Sequence, residues 1–68
     1  MSRGGHRVTV DVDALRAAID GRTNREVERA AKLSRGQVAH ILRRGTVRED
    51  VLDAMCGALG IHESEVLA

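Results

Sequence analysis

The chain has 68 residues, 43% hydrophobic and 31% charged, with a formal net charge of +1. That is one small domain of ordinary globular balance, and no apolar run approaches the roughly 20 residues of a bilayer span. The complete absence of Phe, Tyr and Trp excludes aromatic platforms for single-stranded bases and grooves for proline-rich peptides, and the lone Cys56 excludes an internal disulfide.

The N-terminal stretch has no apolar signal segment, so a cytoplasmic rather than a secreted or membrane protein is expected. Residues 1–9, with two glycines and with Arg3 and Arg7, read as a flexible basic arm preceding a domain over 10–68. Val8-Thr9-Val10 is the only run with strand character and is too short to predict a sheet.

Helix punctuation follows. Asp11 or Thr9 is placed to cap a first helix bearing Leu15, Ala18 and Ile19, and Gly21 stops it by taking the left-handed conformation cheaply. Thr23-Asn24-Arg25-Glu26 is a capping box, opening a second helix over about 24–31 with Val27, Ala30 and Ala31. Ser34-Arg35-Gly36-Gln37 repeats the device and opens a third helix with Val38, Ile41 and Leu42 inward, ended by Gly45. Thr46-Val47-Arg48-Glu49 predicts a third box and a fourth helix with Val51, Leu52, Met55 and Leu59, stopped by Gly60. A short fifth helix is predicted from about His62, with Val66 and Leu67. The expected fold is all-α, a bundle of five short helices.

The charge is unevenly distributed. Residues 22–44 hold seven cations against Glu26 and Glu28, a local +5, while 45–68 hold five carboxylates against Arg48, a local −4. The basic third points to an anionic partner, with a merely solvated helical face as the alternative.

The junction of helices two and three carries the most information. Two short helices flanking Lys32-Leu33, with Leu33 buried in the turn, predict a helix-turn-helix. Arg35, Gly36, Ala39, His40 and Arg43 then face outward on helix three, a basic face without large apolar groups that suits the DNA major groove. Glycine early in a helix costs about 0.5–1 kcal/mol relative to Ala. Gly36 is therefore explained either by close approach to DNA or by tight packing. Arg3 and Arg7 are candidates for a minor-groove arm. No nucleophile–base set or phosphate loop is present, so no enzyme is expected. His6, His40 and His62 lack metal-ligand spacing, and no metal or cofactor is assigned. Cys56 reads as a small core residue on helix four.

Thr23-Asn24-Arg25-Glu26-Val27, Leu33-Ser34-Arg35, Val38–Ile41 and the tail Ala58-Leu59-Gly60-Ile61 with Glu65-Val66-Leu67 resemble one known family. It is the Cro and phage-repressor (xenobiotic-response-element) class of helix-turn-helix proteins, of lambda-repressor-like fold, and the likeness covers residues 10–68. The resemblance implies that Asn24 and Ser34 touch DNA phosphates, with Arg25 grouped beside them. It places Arg35, Gly36, Gln37 and His40 at base-reading positions and Arg43 and Arg44 at the backbone. Three positions depart from the pattern: Glu28 stands for a small Ala, Lys32 for a turn Gly, and Gly45 comes one residue late. Lys32 must tolerate or avoid a positive φ. For Glu28 the expected partners are the neighbourhood of Arg29, Lys32 or Arg35, or else a slight rotation of helix two.

The expected function is therefore a sequence-specific double-stranded DNA-binding regulator, a small bacterial or phage repressor associated with the nucleoid. It would bind a pseudo-palindromic operator as a homodimer, with Ile61, Val66 and Leu67 as the dimer patch. The alternative is a helix-turn-helix interaction module, an antitoxin or adaptor, that binds a protein through the basic face or the acidic end. A second protein partner is compatible with either.

Overall fold

The structure is a computed structural model that describes residues 6–68. Its elements in chain order are β1 (Arg7–Thr9), α1 (Val12–Ile19), α2 (Asn24–Ala31), α3 (Gln37–Arg44), β2 (Thr46–Arg48) and α4 (Glu49–Leu59). A single 3-10 turn, Glu63–Glu65, follows.

The caps act largely where expected. The Asp11 carboxylate accepts the Ala14 N–H at 3.1 Å and starts α1. At α2 the box is complete: the Glu26 N–H donates to the Thr23 hydroxyl at 3.1 Å, and the Thr23 N–H to the Glu26 carboxylate at 2.7 Å. Leu15, Val27, Val38, Leu52, Met55 and Val66 form the fully buried centre, where α4 packs against α2. Cys56 joins them as a buried core thiol, as its place on the apolar stripe implied.

The all-helical expectation is corrected in three places. First, the fold has four α-helices, not five, because the segment after His62 closes only one 3-10 turn. Its His62 N–H is held by Glu65 at 2.8 Å, but Val66 turns into the core immediately afterwards. Second, Thr46–Arg48 is not a capping box. It is a strand paired antiparallel with Arg7–Thr9, in the register Arg7 to Arg48, Val8 to Val47 and Thr9 to Thr46. Burial of Val47 and the β-branched pair Thr46-Val47 favour the extended form, and α4 begins directly after it with Glu49 and Asp50 in its first turn. Third, the expected arm ends earlier, since Arg7–Thr9 belong to the fold. Residues 1–5, with Arg3, lie outside the described residues.

β1 is held on both sides. The Val10 N–H donates to the Gly45 carbonyl and the Glu49 N–H to that of His6. On the other edge Val10 bridges Leu67, the Asp11 N–H donates to Val66, and the Ala68 N–H donates to Thr9. The two ends of the described chain are thereby tied together beside the C-terminus of α3. Among the described residues, no helix is long and apolar enough to cross a membrane.

Candidate nucleic-acid interface

α2 and α3 meet across a turn of residues 32–36. α2 ends at Lys32, whose φ of 59° is left-handed, and the following Leu33 N–H returns to the Glu28 carbonyl at 2.7 Å. Lys32 therefore tolerates the positive φ that its glycine-like position demands. Leu33 is half-buried and packs on the core.

α3 begins at Gln37, three residues later than its sequence predicts. Gly36 precedes it with φ 86°, so Ser34 and Arg35 lie in the turn rather than on the helix. A Cβ at Gly36 would meet no atom within 4 Å. Tight packing is thus not the reason for this glycine; the backbone conformation is. The predicted box survives only in part: the Gln37 side-chain oxygen accepts the Ser34 N–H at 3.1 Å, while α3 has no side-chain cap at its own first position.

That cap comes from Glu28 instead. Its carboxylate is buried, 2% exposed, and accepts the Val38 N–H through Oε2 at 3.0 Å. Its Oε1 lies 3.8 Å from Arg25 Nη1. The expected partners Lys32 and Arg35 are corrected accordingly. A negative group at a helix N-terminus meets both the free N–H and the positive end of the dipole, which makes burial of this carboxylate tolerable. Glu28 is therefore a tie joining α2 to the start of α3.

The outward surface keeps the predicted character. Arg35, Gly36, Ala39, His40, Arg43 and Arg44 are exposed, as are Asn24, Arg25 and Ser34, whereas Gln37 is half-buried. Two cations of the basic segment serve the fold: Arg22 donates to the Ala58 carbonyl at 3.2 Å, and Arg25 faces Glu28.

Sequence reasoning missed the neighbours of this face. Arg7, Thr46 and Arg48 share a cleft of about 90 Å³ with Gln37 and His40 of α3, floored by Ile41, Val47 and Val51. The β-branched Thr46-Val47 after Gly45, read together with Val8-Thr9-Val10, was the available signal.

The other named candidates separate. Val66 is 1% exposed and belongs to the core, so it is corrected as a dimer-surface residue; Ile61 is half-buried and Leu67 is 39% exposed. Glu49, Asp50, Asp53 and Glu63 line a larger acidic cavity at α4 and the 3-10 turn. There the Glu63 carboxyl is pushed above its ordinary range, chiefly by its hydrogen bond with Asp53. Burial, with Glu63, Asp53 and Glu65 nearby, pushes the Cys56 thiol up. Comparison with protein-family models, curated proteins and solved structures found no match to this chain.

Proposed function

We propose that the protein is a sequence-specific double-stranded DNA-binding regulator, a small repressor of the Cro and phage-repressor type acting in the bacterial cytoplasm. α3 enters the major groove, with Arg35, Gly36, Gln37 and His40 toward the base edges. Asn24, Arg25, Ser34, Arg43 and Arg44 hold the phosphates on either side.

One observation carries the reading: a buried tie from Glu28 fixes α3 against α2 while leaving a basic, polar face of α3 outward. A rigid helix with an outward polar face is what groove reading requires, because misplacement of the donors forfeits base discrimination. The competing protein-interaction reading calls for exposed apolar anchors on that face. Among the described residues the sole exposed large hydrophobic is Leu67, which lies at the C-terminus and not on α3.

Proteins of this shape act on paired half-sites about one helical turn apart. A symmetric dimer on a pseudo-palindromic operator is accordingly part of the proposal, with Ile61 and Leu67 as the apolar residues left for its contact. In vitro selection of bound duplexes followed by gel-shift titration tests the whole reading. Binding that weakens with salt and favours the selected sequences is expected. Absence of salt-dependent binding to every duplex refutes it.

A further inference from the structure

We infer that the β1–β2 ribbon is a second docking element of the same interface, seating one phosphodiester of the duplex backbone in the cleft between the ribbon and α3. The inference rests on the duplex-reading role of α3 and names where the adjacent phosphate backbone lies.

The ribbon's charge pattern is the first ground. Arg7 and Arg48 stand directly opposite one another in the antiparallel register. Like charges at such positions repel, since their Cβ atoms lie about 4.5–5.5 Å apart. Arg48 is held by Asp50 at 3.1 Å, with both side chains about half exposed, and Arg7 Nη2 donates to the Thr46 hydroxyl at 3.3 Å. Arg7 thus points its guanidinium along the ribbon, and among the described residues no carboxylate pairs with it. An anion placed between the two arginines turns the repulsion into a clamp.

The surroundings supply the second ground. The intervening pair Val8–Val47 faces inward, with Val47 buried, so the side-chain alternation sends Arg7 and Arg48 to the outer face. The same cleft is lined by Gln37 and His40 of α3 and contains no carboxylate. A group held there touches both the ribbon and the proposed reading helix. Guanidinium donors with a neutral amide and an imidazole beside them match a phosphodiester, which offers oxygen acceptors and one negative charge. Its place next to α3 fits a duplex backbone running past the groove that α3 enters.

The test is fluorescence anisotropy of a selected duplex and a random duplex across a salt series, with circular dichroism confirming the fold of each variant. Arg7→Gln is expected to weaken both duplexes alike and to lower the slope of log affinity against log salt by about 0.9, the signature of one lost phosphate contact. Arg48→Gln is expected to do the same, and Arg7→Lys to keep most of the slope. Unchanged slopes in both Gln variants overturn the inference and leave the α3 reading standing. A loss confined to the selected duplex also overturns it, since that would mark base reading. Failure of the unaltered protein to bind either duplex removes the α3 reading and this inference together.

Discussion

The Val38 N–H donates to the carboxylate of Glu28, ten residues earlier in the chain, at 3.0 Å. This one bond joins the last turns of α2 to the first turn of α3 inside the core. Glu28→Ala removes the acceptor and strands a buried N–H, at a cost of about 1–3 kcal/mol. Glu28→Gln keeps an acceptor oxygen and is expected to lose markedly less. Urea denaturation of both variants measures the difference; equal losses would show that the bond is not what holds the junction.

The two left-handed residues of the turn are expected to respond in opposite directions. Lys32 carries a side chain at φ 59°, where an L-residue costs roughly 1–2 kcal/mol relative to right-handed backbone. Lys32→Gly relieves that strain but frees the unfolded chain, so a net gain of about 0.5 kcal/mol is expected in chemical denaturation. Gly36→Ala imposes the same strain without any clash, because the space around it is open. A loss of about 1 kcal/mol is expected.

Base reading and backbone holding separate by their dependence on DNA sequence. Arg35→Ala is expected to cost about 1–3 kcal/mol on the selected duplex and little on random DNA. Arg44→Ala is expected to weaken both alike. Titration of both duplexes with each variant checks this, and equal losses for Arg35→Ala would remove Arg35 from base reading.

Acid affects two carboxyls in opposite senses. Glu26 is held below its ordinary value of 4.5, first by the Thr23 N–H, then by the Thr23 hydroxyl, with Arg22 adding to both. A depressed folded value gives stability that is present above pH 4.5 and lost as pH falls through the folded value. Glu26→Gln should therefore flatten the fall of melting temperature in acid. Glu63 is raised above 4.5, so its folded form gains stability as pH falls through the raised value toward 4.5. Glu63→Gln should raise the melting temperature at neutral pH, and that gain should vanish once pH falls below 4.5.

The helical elements were legible because their determinants are local. Asp11 caps α1 and Thr23 with Glu26 caps α2 within three residues in the chain, and the apolar spacing of Leu15, Ile19, Val27, Val38, Ile41, Leu52 and Met55 gave the core directly. The exposed character of His40 and Arg43 followed from the same periodicity. By contrast, Ser34-Arg35-Gly36-Gln37 and Thr46-Val47-Arg48-Glu49 have cap-like spacing but fold otherwise. A short pattern of this kind fits a cap, a turn or a strand, and the choice falls to contacts elsewhere in the chain.

Sequence by itself therefore determined a small, helix-rich chain with its main apolar stripes and a basic segment centred on two adjoining helices. Tertiary structure alone decided that Thr46–Arg48 is a strand, since its partner Arg7–Thr9 lies 37 to 41 residues away at the paired positions. It alone also decided that Glu28 caps α3 and that Val66 is core rather than surface. The physical reason is common to all three. Backbone pairing, burial of a carboxylate and the side on which a terminal valine packs each depend on groups distant in sequence, and no local propensity encodes them.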